Sequence, residues 1–194
     1  MRRRTALSLV ATTLSAGCIG AASSNSSDMR TSMPDHKRVS VIDQRDLPND
    51  VPVTLSATTS REEITAEHPA RLRIVFENTD KNPRTFSFGT NPPFTPKLSQ
   101  TQSPGLMLLP LDTRYDPVTE SCWQPTISDD TEYVVPSVLN QVTLDAGESI
   151  ATELDVWGSY RNDDDICVPI GEYQFEESYG DFTWNFTVAV LGNT

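Results

Sequence analysis

Histidine is nearly missing from this chain of 194 residues, which has only His36 and His68. A zinc centre draws on several Cys and His ligands, and His68 alone lies in the part expected to fold. A blue-copper site needs two His, a Cys and usually a Met, with a His soon after the Cys; none follows Cys122 or Cys167. A Ser-His-Asp triad would have to use His68, on the polar turn Glu67-His68-Pro69, and no Gly-x-Ser-x-Gly elbow accompanies it. Lysine is also scarce, with Lys37, Lys81 and Lys97 the only three against 27 acidic residues. Nothing here neutralises phosphates, so nucleic acid is not an expected partner. No apolar run reaches the roughly 20 residues of a membrane-spanning helix. No long segment shows helical periodicity either.

The N-terminal residues form a recognisable unit. Arg2, Arg3 and Arg4 give a positive start, Ala6 to Ala16 a diluted apolar stretch, and Ala16-Gly17 a small-residue approach to Cys18. Residues 1–17 therefore read as a signal peptide. The sequence Leu14-Ser15-Ala16-Gly17-Cys18 resembles the lipobox of bacterial and archaeal lipoproteins. That resemblance implies lipid on the Cys18 thiol and a mature chain beginning there, held at the extracytoplasmic face of the cell membrane. The arginines also resemble a twin-arginine signal, the route for proteins exported already folded. Two lipid chains anchor stably, because each buried methylene contributes about 0.8 kcal/mol.

Removal of Arg2, Arg3 and Arg4 leaves 27 acidic against 12 basic residues, a net charge of −15. Such acid-rich, lysine-poor surfaces resemble those of extreme halophiles, and the whole resembles an exported surface lipoprotein of haloarchaeal type. Near 1 M salt the screening length falls to about 3 Å, which quenches the self-repulsion. Three cysteines occur. With Cys18 used by lipid, Cys122 and Cys167 remain as a pair in an oxidising compartment, and a disulfide is expected rather than two thiols or a metal site.

Residues 18–49 read as a flexible, lipid-anchored tether, polar and without period, in which Val39-Ser40-Val41-Ile42 is a short apolar patch able to pair at a sheet edge. Asn25 in the tether and Asn185 in the folded part head glycosylation sequons. Residues 50–191 read as one domain. Its apolar residues alternate: Val51, Val53, Leu55 and Ala57; Leu72, Ile74 and Phe76; Phe86 and Phe88; Val142 and Leu144; Ile150, Leu154 and Val156; Tyr173 and Phe175; Trp184, Phe186, Val188 and Val190. Period-two alternation with turn residues between runs predicts an all-β fold, a two-sheet antiparallel immunoglobulin-like sandwich of seven to nine strands.

The C-terminal half, from Leu144-Asp145-Ala146-Gly147-Glu148-Ser149 through Trp157 to Pro169-Ile170-Gly171-Glu172-Tyr173, is similar to that of many immunoglobulin-like extracellular domains. It also resembles the BsuPI family of β-sandwich proteinase inhibitors over about the same residues. Residues 89–136 form an irregular insertion holding eight of the 14 prolines, with Leu106-Met107-Leu108-Leu109 as a buried strand inside it. This insertion is the expected binding surface. Tyr115 and Trp123, with Trp157 from outside the insertion, are the candidate exposed aromatics, while core packing is the favoured reading for each taken singly. Asn162-Asp163-Asp164-Asp165 lacks the spaced pattern of a calcium loop and reads as a solvated acidic loop. So acidic a sequence leaves a carboxylate pair of the glycosidase kind open, but no recognisable site marks one.

The sequence thus predicts a lipid-anchored surface protein, non-catalytic and without metal or cofactor. It would bind an unidentified surface protein or small ligand, or serve as a structural component of the envelope. A surface-presented proteinase inhibitor, or an accessory subunit of a transporter or enzyme complex, are the alternatives.

Overall fold

A computed structural model describes residues 36–119, 121–127, 137–163 and 166–192. The signal segment, Cys18 and Asn25 lie outside the described residues. Those described are all-β, in thirteen strands: β1 (Lys37–Gln44), β2 (Val53–Arg61), β3 (Glu63–Ile64), β4 (Ala70–Asn78), β5 (Arg84–Phe88), β6 (Lys97–Gln102), β7 (Gly105–Pro110), β8 (Pro117–Thr119), β9 (Cys122–Pro125), β10 (Asn140–Leu144), β11 (Ser149–Gly158), β12 (Gly171–Ser178) and β13 (Thr183–Gly192). One antiparallel sheet has the order β12-β13-β1-β3, the other β2-β4-β11-β7-β6, and the pairs β10-β5 and β8-β9 stand apart as two-stranded ribbons. No helix among the described residues is long and apolar enough to cross a membrane.

The two large sheets pack face to face, and the alternation in sequence fixes which side chains meet between them. Leu72, Ile74 and Phe76 from β4, Leu154 and Val156 from β11, and Leu106 and Leu108 from β7 are buried opposite Phe175 of β12 and Trp184, Phe186, Val188 and Val190 of β13. Phe94, from the link before β6, enters the same layer with its ring 5.5 Å from that of Phe186. Side-chain hydrogen bonds close both flanks. Ala57 N–H donates to Gln44 Oε1 at 2.9 Å and Val41 N–H to Thr59 Oγ1 at 3.2 Å on one side. On the other, Lys97 donates to the Glu176 carbonyl at 2.6 Å and pairs with Glu177.

Two assignments from sequence change. Residues 37–44 belong to the sheet rather than the tether: β1 pairs with β13 from Lys37↔Gly192 to Gln44↔Phe186. Its burial pattern hides the fact, because only Val39 is fully covered while its neighbours face solvent. The Pro-rich insertion is likewise not a loop apart, since β6 and β7 within it complete the five-stranded sheet. Leu106 to Leu109 are all buried, as the unbroken apolar run predicts for a strand covered on both faces.

Asn78 holds the corner where the β4/β11 ribbon gives way to β5/β10. Its side chain is fully buried, and Nδ2 donates toward the carbonyls of Asn82, Leu144 and Asp145 at 3.0, 3.0 and 3.1 Å. Its Oδ1 accepts from Asp80 N–H at 3.1 Å. The main chain adds Asn78 N–H to the Glu148 carbonyl and Gly147 N–H to the Asn78 carbonyl. Gly147 turns this corner at φ 75°, a conformation in which glycine has no steric cost. Past the corner, Phe86 and Phe88 fold back onto Phe76, ring centroids 4.8 and 5.1 Å away.

Candidate functional site

The sandwich has two dissimilar ends. At one lie the start of β1, the finish of β13, and a clamp built on the disulfide Cys122–Cys167, whose Cα atoms stand 5.2 Å apart. The expected bridge is present. It ties the β8–β9 hairpin to the loop between β11 and β12. Asn162, on that loop, is buried rather than solvated: Nδ2 donates to the Gly105 and Cys167 carbonyls, Oδ1 accepts from Gly105 N–H at 2.7 Å, and its carbonyl accepts from Gln124 Nε2. Gly158 is required beside this clamp, because a Cβ there would lie 1.8 Å from the Cys167 carbonyl oxygen.

The hairpin and its flanks cover the outer face of the five-stranded sheet, where Met107, Leu109 and Trp157 form a second, smaller core joined by Tyr115, Trp123, Tyr160 and Leu98. Tyr115, Trp123 and Trp157 are therefore brought together as parts of a core, the packed reading of these residues and not the exposed one. Trp157 is only 3% exposed; Trp123 and Tyr115 are half-buried. The rings of Trp123 and Trp157 meet edge to face at 5.3 Å, and Trp123 Nε1 donates to the Thr65 carbonyl at 2.7 Å. The physical reason is the flap itself. An outward tryptophan on β11 would be wet if nothing crossed it, and the disulfide holds β9 across it. Next to this cover, Arg71 and the nearly buried Asp155 form a pair in cross-strand register, Nε to Oδ1 at 2.7 Å. The hydrogen bond to Asp155 raises the Arg71 pKa above its ordinary value. Asn185 is half-buried on β13.

The opposite end carries a concavity. A groove of about 790 Å³ is bounded by Asp50, Val51, Pro52 and Val53, by Pro83 to Ser87 along β5, and by the β12–β13 turn Tyr179-Gly180-Asp181-Phe182. A second hollow of about 550 Å³ adjoins it across Val51 and Val53 and is lined by Gln44 to Asn49. Aromatic rings form the floor of the groove. Tyr179 stacks on Phe182 at 5.2 Å and 23°, and sits 5.5 Å from Phe76 and 6.2 Å from Phe88. Its hydroxyl donates to the Pro93 carbonyl at 2.9 Å. Burial, and then the nearby Glu177, hold the Tyr179 phenol well above its ordinary pKa, so it stays neutral. The rim is polar: Asp50 and Asp181 are exposed, and Arg84 is engaged by Asp80 at 3.2 Å.

The groove thus sets aromatic rings among a lining that is polar over most of its exposed surface. Among the described residues, no group of three or more His, Cys, Asp or Glu is placed to hold a metal ion. Sequence reasoning missed the groove because its aromatics lie at a turn and on a ribbon. The one local signal was Tyr179-Gly180-Asp181-Phe182, two aromatics flanking a tight turn. Compared with family models, curated proteins and solved structures, the chain matches none.

Proposed function

We propose that this chain is a non-catalytic binding module, anchored through lipid on Cys18 and presenting its aromatic groove away from the membrane. The observation that carries the reading is polarity of the fold. The chain enters β1 at Lys37, beside the disulfide clamp, whereas the groove lies at the far end of the same strands. Residues 18–36 would supply a leash of at most about 60 Å, at roughly 3.3 Å per extended residue. The end at which the chain would run on toward an anchor carries the disulfide clamp and the other end carries the groove, an order that suits a displayed receptor domain. The inhibitor alternative gains less support, because the described parts of 89–136 are built into the sheet or held against its face.

The test has two arms. Cys18→Ser should move the protein from the detergent phase to the aqueous phase or leave an uncleaved precursor; a variant that matures normally and still partitions into detergent sinks the anchor. A photoreactive phenylalanine analogue at Phe182 should crosslink a ligand on intact cells, while the same analogue at Ile170, at the clamp end, should not. Equal labelling from both positions removes the groove as the binding site.

A further inference from the structure

The groove has a feature that a simple hollow lacks. Pro83, Arg84, Thr85, Phe86 and Ser87 all line it, five residues in a row. Side chains of successive strand residues point to opposite faces, so a cavity that meets every one of them runs along the strand's edge. β5 pairs with β10 alone, in the register Arg84↔Leu144 to Phe88↔Asn140. Its other edge therefore presents main-chain N–H and C=O groups to the groove without a partner strand among the described residues. Among the edges of the large sheets, β2 has its Ala57 N–H bonded to Gln44 Oε1 and β12 has its Glu176 carbonyl bonded to Lys97. Proteins usually blunt such an edge with lysine, proline within the strand, or a covering segment. β5 itself holds neither lysine nor proline, no segment among the described residues pairs with this edge, and its one charge, Arg84, is taken by Asp80.

We infer that β5 accepts an extended peptide segment of a partner protein by strand addition, and that the segment alternates apolar and basic side chains. This rests on the groove being the binding site. In strand addition the main chain supplies affinity and the pockets for alternate side chains supply selectivity. One face of the added strand would lie over Phe86, Tyr179 and Phe182. The other positions would meet Asp50 and Asp181, the exposed carboxylates of the rim. The excess of 27 acidic over 15 basic residues argues against a second copy of this chain as occupant and for a cationic partner.

The probe is a fluorescein-labelled peptide of alternating Lys and Val, titrated by polarisation into the full-length lipidated protein in detergent, at a salt concentration where circular dichroism shows it folded. Saturable binding below about 1 mM is expected. Backbone N-methylation at every other residue should weaken binding at least about tenfold in one register and spare it in the other, because only alternate amides face β5. An Asp50→Lys/Asp181→Lys double variant should exchange preference toward a Glu-Val peptide. No binding at any concentration, equal effects of both N-methyl registers, or a self-associated dimer that excludes the peptide each overturn strand addition. Persistent crosslinking from Phe182 beside such a result means the groove binds in another mode, so that only this inference falls.

Discussion

Substitution of Asn78 tests whether the corner between the two ribbons is held by its side chain. Leucine preserves the volume but removes one acceptor and the donor shared among three carbonyls. The contact to the Leu144 carbonyl is fully buried; the other three reach partly covered atoms that water can serve. One buried group left unpaired costs about 1–3 kcal/mol, and the partly covered ones add less, giving about 3–4 kcal/mol for Asn78→Leu. For a domain of this size that lowers Tm by about 10 °C. Asn78→Asp goes further, because it aims a carboxylate at three carbonyl oxygens. That environment raises the folded-state pKa of the new acid above its unfolded value of about 3.9. Below pH 4 both states are protonated and an O–H donor survives. As pH rises past 4 the unfolded chain releases its proton first, so stability falls until the folded-state pKa is passed. Thermal melts of wild type and both variants from pH 4 to 7, followed by near-ultraviolet circular dichroism, give the comparison. An Asn78→Asp variant that melts within about 2 °C of wild type at pH 7, or a gap that narrows as pH rises, refutes the keystone role.

The disulfide joins residues 45 positions apart, and its removal by Cys122→Ser/Cys167→Ser should cost about 4 kcal/mol in the chain-entropy model; chemical denaturation measures it, and a midpoint unchanged by the double variant contradicts the clamp. The buried Tyr179 phenol has a raised pKa, so its contribution is complete below pH 10 and is lost as the unfolded chain ionises above it. Absorbance at 295 nm should therefore show this tyrosine ionising only as the fold melts, and Tyr179→Phe should flatten the alkaline loss of Tm. Finally, if the net charge of −15 without Arg2, Arg3 and Arg4 reflects a high-salt setting, Tm should climb steeply from dilute buffer to molar KCl; a flat profile leaves the acidity unrelated to salt.

Much of the sandwich was legible because alternation is dictated by the pleat. The runs at 53–57, 72–76 and 184–190 read correctly, since each buries one face only. β1 was legible only in part: Val39-Ser40-Val41-Ile42 read as able to pair at a sheet edge and does pair with β13, but the strand's full extent was hidden, because a strand held by main-chain bonds needs little side-chain burial. Asn78 and Asn162 looked like turn residues, as asparagines between strands usually are, and nothing local says that their amides are enclosed. Trp157 carried both an exposed and a core reading, and the core one holds. It falls on the outward phase of β11, and the flap that covers it comes from residues more than thirty positions earlier. A clue did exist, because Met107 and Leu109 lie on the same outward phase as Trp157, and an apolar run buried on both faces implies a second cover. The groove was illegible because it is made by three segments distant in sequence, none of which is unusual alone.

The pairing of the first strand with the last also has a mechanical meaning. A load applied to the chain at Lys37, and resisted at the Tyr179–Phe182 turn, runs parallel to β1. The seven register pairs between β1 and β13 then share that force in shear, so they must yield together instead of unzipping singly. Force drawn along this axis would also leave the second core and its disulfide outside the stressed strands, because that clamp braces the other sheet. A domain wired in this way is stiffest along the direction in which a partner held at that turn would pull.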